Sequence, residues 1–243
     1  MQQEFKSTEK IMLQAQEKSC TQSDMNYFIS GTIQYEIPGI WKATIESWAQ
    51  DFLREGKVCF TNIEVFKKDE DPQRGDSQEG TCISIVNNHR CQTDHVNKIF
   101  VWCGTMENNI DKIQGQWKDR NSIIQITNTT AFSQRIVKAM IEYNNCRGDQ
   151  KRGKKKIIFP LMIGPVTYDK DDGTNRVENY CTGIFQKNYR HNSQKEFRFA
   201  FETNLVNDTE QLSEVNDLDK NGEIEENIFL LLGNCNDIAK IVK

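Results

Sequence analysis

Residues 98–128, KIFVWCGTMENNIDKIQGQWKDRNSIIQITN, decide the fold class of this chain. Three short runs within them, 98–106, 110–117 and 123–127, are apolar or β-branched, and polar turn-forming residues separate them. Runs of this length with short polar connections are typical of successive β-strands. We therefore predict that this stretch forms a three-stranded antiparallel meander.

The same pattern continues on both sides of the meander. Further strands are predicted at 25–37, 40–45, 58–66, 82–86, 157–168, 177–186, 196–205 and 227–232. In 58–66 the alternation slips at Thr61 and Asn62, which predicts a β-bulge. Two prolines in 157–168 predict a strand at a sheet edge or corner. Residues 40–52 also fit a helical spacing, although the strand is preferred for 40–45.

Residues 196–205 show the cleanest alternation in the chain. Phe197, Phe199 and Phe201 fall on one side of the predicted strand, whereas Glu196 and Arg198 fall on the other. Strands of antiparallel sheets commonly bury one face and expose the other. The pattern therefore predicts that the phenylalanines lie in the core and that the charged face lies in water.

Only residues 129–143 repeat their apolar side chains at a convincing helical spacing, and Thr129 or Thr130 could cap that helix. A short helix is also predicted for 236–243. Together these features predict a mainly β, β-rich α+β fold, an antiparallel sandwich or barrel with one packed amphipathic helix. Residues 1–24 are expected to form a polar arm, and residues 25–243 a single domain.

Composition narrows the function classes. The formal charge of −4 argues against nucleic-acid binding, which normally requires a basic surface. No apolar run approaches the roughly 18 residues that cross a bilayer, and the N-terminus lacks the apolar segment of a secretory signal. We therefore expect no membrane insertion, a cytoplasmic location, and eight cysteines kept as reduced thiols.

One acidic segment resembles a calcium-binding loop. Residues 217–224, DLDKNGEI, are similar to the first eight positions of an EF-hand, with oxygen ligands at alternating positions. The carboxylate that such a loop needs at its twelfth position is replaced here by Ile228. The alternative is a polar hairpin turn. The candidate calcium ligands are Asp217, Asp219, Asn221 and Glu223.

Thiol and imidazole side chains also accumulate in residues 82–103. Cys82, His89, Cys91, His95 and Cys103 have the chemistry of zinc ligands, but no close pair of cysteines is present to begin a site. The alternative is a set of loop histidines near unrelated buried thiols.

A basic run follows the predicted helix and precedes an edge strand. Positive charge there favours the helix dipole and protects the strand edge from aggregation. The alternative is an interaction surface for an acidic protein partner. Its candidate residues are Lys151, Arg152, Lys154, Lys155 and Lys156.

Gly39-Ile-Trp41 and Gly115-Gln-Trp117 resemble the Gly-x-Trp element of lipocalin-like barrels. Neither lies at the start of the chain, where that family carries it, so no family is assigned. The resemblance implies an internal cavity for a small apolar ligand. The candidate lining residues are Trp102, Trp117, Phe199 and Phe201.

The sequence contains no P-loop, no Gly-x-Ser-x-Gly and no His-Glu-x-x-His, and it has only three histidines. We therefore do not predict an enzyme. The leading hypothesis is a non-catalytic protein–protein interaction or scaffold subunit of a larger cytosolic assembly, which carries recognition on its loops. The alternatives are a small apolar-ligand-binding β-barrel and a calcium-responsive adaptor.

Overall fold

The computed structural model describes residues 39–69, 75–77, 79–86, 89–94, 99–147, 155–169, 184–205 and 227–243. Their strands are β1 (Ile40–Thr44), β2 (Lys57–Asn62), β3 (Thr81–Val86), β4 (His89–Asp94), β5 (Ile99–Thr105), β6 (Ser122–Ile126), β7 (Lys155–Pro165), β8 (Thr167–Asp169), β9 (Gln186–Asn188), β10 (Glu196–Leu205), β11 (Asn227–Leu231) and β12 (Ala239–Ile241). The helices are α1 (Glu46–Glu55), α2 (Ile63–Lys68), α3 (Ile110–Gln116), α4 (Thr129–Arg147) and a 3₁₀ helix (Tyr189–Gln194).

Eight of these strands form one antiparallel sheet that forks at β5. One edge of β5 pairs with β10, and β10 pairs with β7. The other edge of β5 pairs with both β2, at Val101, and β1, at Thr105. From there one branch continues as β2–β11 and the other as β1–β6–β12. The strand-rich antiparallel prediction is confirmed; the described strands do not close into a barrel, and the sandwich remains a prediction.

One face of the sheet carries the main core, which α1 and α4 cover. Its centre is a set of aromatic rings in mutual contact: Trp102 and Phe199 lie 5.6 Å apart, and both pack against Phe132 of α4. Phe60 and Phe201 lie 4.7 Å apart beside them. Full burial of one such side chain contributes roughly 1.5–3 kcal/mol, so this cluster is a principal source of stability.

The other face of β10 is also buried, which corrects the prediction of a solvent-exposed face. Glu196 is 5% exposed, Arg198 is 1% exposed and Ala200 is fully buried. A second apolar cluster lies on this side and includes Ile63, Ile99, Val101, Met162, Ile184 and Ala200. The alternating pattern marked the two faces correctly, but it could not show that other segments cover the charged one.

The meander predicted for 98–128 is wrong in its middle run and in its pairing. Residues 110–116 form helix α3 instead of a strand, because the Asn109 side chain accepts a hydrogen bond from the Lys112 amide and caps the first turn. Ile113 is the one buried side chain of α3. The two outer runs are strands β5 and β6, as predicted, but β1 lies between them.

Helix α4 confirms the prediction for 129–143 and extends it to Arg147. The predicted cap residue was wrong: the Asn128 side chain accepts a hydrogen bond of 2.9 Å from the Ala131 amide. Asparagine is among the strongest N-cap residues, so it outcompetes the two threonines that follow it.

Two other local predictions fail because a strand and a helix were confused. The slip at Thr61 and Asn62 is no bulge: β2 ends at Asn62, whose side chain caps α2 by accepting from the Glu64 amide at 3.0 Å. Residues 239–241 form strand β12, which pairs with β6, and not the predicted terminal helix. In contrast, the strand at 40–44 is confirmed, and the helical spacing in 40–52 belongs to α1, which follows it.

The edge position predicted for 157–168 is confirmed for β7, whose paired neighbour among the described strands is β10. Its register shifts between the pairs Met162–Ala200 and Ile158–Glu202, around Pro160. The proline lacks an N–H for the ladder, which explains an irregularity at this point. No helix in the described part of the chain is long and apolar enough to span a membrane.

Candidate functional site

Four charged side chains meet on the buried second face of β10 and form what we call the buried charge cluster. They are Glu196 and Arg198 from β10, Lys187 from β9, and Glu79 from the turn before β3. None is more than 5% exposed. Two residues of β10 separated by one position share a face of the strand, which places Glu196 beside Arg198.

Direct ion pairs connect the four groups. Arg198 donates from Nε to Glu196 Oε1 at 2.7 Å and from Nη1 to Glu79 Oε1 at 2.6 Å. Lys187 Nζ lies 3.1 Å from Glu196 Oε2 and 3.5 Å from Glu79 Oε2. Two carboxylates and two cations therefore alternate, and the cluster has no net charge.

Neutral groups complete the surroundings of the cluster. Lys187 Nζ also donates to Gln194 Oε1 at 3.2 Å, and Arg198 Nη1 also donates to the Ile184 carbonyl oxygen. The Glu196 amide donates to the Tyr168 hydroxyl at 2.7 Å. These bonds connect β8, β9 and the 3₁₀ helix to β10.

The pKa values of Glu196 and Lys187 are both shifted away from neutral pH. Burial alone would raise the pKa of Glu196, but the charges of Arg198 and Lys187 outweigh it, and that pKa lies far below its usual value. Burial alone would lower the pKa of Lys187, but Glu196 and Glu79 outweigh it and raise that pKa. Burial and the Glu196 charge raise the pKa of the Cys103 thiol to about 12.

A general acid or base works best with a pKa near the operating pH. The shifts described above instead keep Glu196 ionised and Lys187 protonated at neutral pH. A buried, charge-balanced cluster of this kind holds segments together, because removal of one member leaves an uncompensated buried charge.

The 3₁₀ helix beside the cluster is fastened to the turn at residues 75–77. Arg190 donates from Nε to His191 Nε2 at 2.9 Å and from Nη2 to the Gly75 carbonyl at 3.1 Å. The Asn188 amide donates to Asp76 Oδ2 at 3.3 Å. Burial and the nearby Lys187 charge lower the pKa of His191, which favours its neutral form. These contacts complete the polar cover over the second face of β10.

The second candidate feature is an exposed apolar surface at the end of the β2–β11 branch, on the same face of the sheet as the buried charge cluster. On β11, Phe229 is 50% exposed and Leu231 is 60% exposed, whereas Ile228 and Leu230 between and beside them are buried. Lys57 Nζ on the neighbouring strand lies 5.2 Å from the centre of the Phe229 ring. We call this surface the β2–β11 outer face, formed by Lys57, Cys59, Thr61, Asn227, Phe229 and Leu231.

Polar contacts hold the rest of the β2–β11 outer face in place. The Asn227 side-chain oxygen accepts from Thr61 Oγ1 at 3.0 Å and from Cys59 Sγ at 3.2 Å. Asn227, Thr61 and Cys59 thus satisfy one another's hydrogen bonds, whereas Phe229 and Leu231 present apolar area to solvent. Large exposed apolar side chains that lie together are typical of protein contact surfaces.

The candidate cavity residues are separated in the structure. Trp102, Phe199 and Phe201 are at most 6% exposed and lie within the core, where protein rings contact them. Trp117 is half-buried at the end of α3, outside that cluster. The four candidate lining residues are therefore three aromatic side chains of the packed core and one separate, half-buried tryptophan.

The other candidate sites lie partly outside the described residues. All four calcium candidates (Asp217, Asp219, Asn221 and Glu223) are outside them, as are Lys151, Arg152 and Lys154 of the basic run. Lys155 and Lys156 are the first two residues of strand β7.

The zinc candidates are divided among several elements. Cys82, His89 and Cys91 lie on the β3–β4 hairpin, where Cys91 pairs with Ser84 and His89 with Val86; Cys103 lies on β5, and His95 is outside the described residues. Among the side chains that the structure describes, no group of three or more His, Cys, Asp or Glu residues is placed to hold a metal. The described cysteines Cys59, Cys103 and Cys235 are free.

Sequence reasoning missed both features described above. The only signal for the charge cluster was the pairing of Glu196 and Arg198 on one face of a strand whose other face is aromatic. The β2–β11 outer face was hidden because residues 228–232 are all apolar, so their sequence cannot show which side chains face water. Comparison of the chain with protein-family models, with curated proteins and with solved structures gives no match.

Proposed function

We propose that this protein is a non-catalytic protein–protein interaction or scaffold subunit of a larger assembly, and that the β2–β11 outer face contacts its partner. The observation that carries the proposal is the exposure of Phe229 and Leu231, 50% and 60%, on a strand at the end of the sheet. Partial desolvation of these two side chains on binding would supply favourable free energy, because burial of apolar area is the main driving force of association.

The side chains of the β2–β11 outer face indicate which chemical groups a partner would need. Phe229 is a large, rigid side chain of the type enriched among residues that dominate binding energy. Lys57 lies at its side and carries a positive charge that a partner carboxylate can meet. We therefore propose a protein partner with an apolar contact surface that has a carboxylate near its rim.

The buried charge cluster supports a scaffold role over a catalytic one. Its members are closed to solvent, and they neutralise each other. Such a network can fix loops rigidly on a sheet, and a rigid scaffold loses little conformational entropy when it binds. The alternatives of an apolar-ligand barrel and a calcium-responsive adaptor remain predictions without further support.

The test begins with a photo-crosslinking amino acid at position 229 of the full chain, expressed in its native cell. A crosslinked protein other than a second copy of this chain is then purified, and its dissociation constant is measured against the wild type, Phe229→Ser and Trp48→Ser. Trp48 on α1 is 55% exposed and serves as the matched control. We expect Phe229→Ser to weaken binding about tenfold or more and Trp48→Ser to leave it unchanged. Equal affinities for the wild type and Phe229→Ser would show that the proposed surface is wrong.

A further inference from the structure

β11 has a strand neighbour on one edge only among the described strands, namely β2. The Leu232 amide donates to the Gly56 carbonyl, which extends the β11–β2 ladder by one pair. This bond identifies which residues of β11 direct their backbone groups towards β2. In an antiparallel ladder, the residues that bond to the neighbouring strand alternate with residues whose N–H and C=O point the other way. Ile228 and Leu230 therefore bond towards β2, while the backbone groups of Phe229 and Leu231 point away from it.

Two properties thus coincide at Phe229 and Leu231: both expose their side chains, and both direct their N–H and C=O to the edge that no described strand covers. β11 is the terminal strand of its branch among the described strands. The sequence of β11, NIFLL, contains no charge and no proline, which are the usual devices that protect an edge strand from pairing.

We infer that β11 pairs antiparallel with β11 of a second copy of this chain, so that one sheet runs through both. A twofold axis at Leu230 places Phe229 opposite Leu231 of the second copy, and the reverse contact follows by symmetry. Aromatic–aliphatic pairs across strands are stabilising. The outward N–H and C=O groups of both residues then form hydrogen bonds across the axis.

Electrostatics permit this pairing. Lys57 is the charged residue of the β2–β11 outer face, and strand spacings place its two copies roughly 16 Å apart. That separation exceeds the screening length of about 8 Å at physiological salt, so the two cations hardly repel. The contact is smaller than the roughly 1,200 Å² of a standard interface, so we expect a dimer with a dissociation constant in the micromolar range.

This inference deepens the proposed function, on which its biological meaning rests. Pairing brings Phe229 and Leu231 of two copies together and so doubles the apolar area offered to a partner. The two ideas fail separately, because dimerisation is measured on the purified protein alone, and partner binding is measured with the crosslinked protein.

The experiment is sedimentation equilibrium of the purified full chain from about 1 to 300 μM, with three variants. Leu231→Pro removes the outward N–H but leaves the bonds to β2 intact, as prolines at edge positions do. Leu231→Ala removes the side chain and keeps the N–H. The control is Ile241→Pro on β12, a terminal strand of the other branch, where the 241 amide also points away from its neighbour.

We expect a concentration-dependent dimer for the wild type and for Ile241→Pro. Leu231→Pro should raise the dissociation constant about tenfold or more, since two symmetry-related hydrogen bonds are lost, and Leu231→Ala should raise it less. A photo-crosslinker at 231 should link to residue 229 of the second copy. A wild type that stays monomeric throughout, or a Leu231→Pro variant that dimerises like the wild type, would overturn the inference; unchanged circular dichroism of each variant establishes that it is folded.

Discussion

Arg198 donates from Nη1 to Glu79 Oε1 at 2.6 Å, across 119 residues of sequence. The same guanidinium donates from Nε to Glu196 on its own strand. One buried cation therefore joins the turn before β3 to the middle of the main sheet. The sheet pairs β10 with β5 and β7 but not with that turn, so this ion pair is a principal link between them.

Removal of this cation should destabilise the protein strongly. Arg198→Met is expected to lower the free energy of unfolding by about 3–5 kcal/mol, because it leaves Glu79 and Glu196 buried with too little positive charge. The matched control is Arg54→Met on α1, whose side chain is 67% exposed in its ion pair with Asp51 and should cost at most about 1 kcal/mol. Urea denaturation at pH 7 measures both, and equal small losses would contradict a structural role for the cluster.

The cluster also predicts how stability depends on pH. The pKa of Glu196 is lower in the folded protein than its usual value of 4.5, so the folded state holds the carboxylate more strongly than the unfolded state does. The resulting stability is complete above pH 4.5 and is lost as the pH falls from there towards the folded-state pKa.

We expect urea midpoints of the wild type to fall steeply between pH 5 and pH 3. Glu196→Gln should be less stable at neutral pH and should lose less on acidification, because the group that titrates is gone. If the urea midpoints of the wild type and of Glu196→Gln fell equally steeply as the pH decreased, other carboxylates would control acid unfolding.

The charge cluster shows where sequence reasoning reached its limit. Alternation in 196–205 assigned Phe197, Phe199 and Phe201 to one face and Glu196 and Arg198 to the other, and both assignments hold. What covers the second face depends on Glu79 and Lys187, which lie far away in sequence or in a different element. A charge on a strand is normally evidence for solvent, and only its partners reverse that conclusion.

The orientation of β11 gives a separate stability prediction. Ile228 is 1% exposed and Phe229 is 50% exposed, although they are neighbours in an apolar run. Ile228→Ala should cost about 2–4 kcal/mol because it leaves a cavity in the core, whereas Phe229→Ala should cost less than about 1 kcal/mol.

Urea denaturation at about 1 μM protein, below the expected dimer concentration, measures this difference. A larger loss of stability for Phe229→Ala than for Ile228→Ala would mean that the register of β11 is shifted by one residue. Phe229 would then lie in the core. The β2–β11 outer face would then not exist as described.

Capping explains most of the local errors in the sequence-based prediction. Asn62, Asn109 and Asn128 each accept a hydrogen bond from an amide at the start of a helix. In an asparagine-rich chain, these residues look like ordinary loop positions, and the short helices α2 and α3 have too few apolar residues to show a period. The apolar runs were located correctly, but a run of five to eight residues does not distinguish a strand from a short helix.

Replacement of two glycines by alanine should change the stability of the protein in opposite directions. Gly115 lies in α3, where an added Cβ would meet no atom within 4 Å, so Gly115→Ala should stabilise the protein by about 0.5–1 kcal/mol.

Gly56 ends α1 with φ at +65°, and an added Cβ would lie 2.3 Å from the Gly233 carbonyl oxygen. Gly56→Ala should therefore cost at least about 2 kcal/mol, from the left-handed backbone and the clash together. Thermal and urea denaturation measure both; a destabilising Gly115→Ala would argue that 110–116 is not a helix, and a neutral Gly56→Ala would argue against the close contact of α1 with the end of β11.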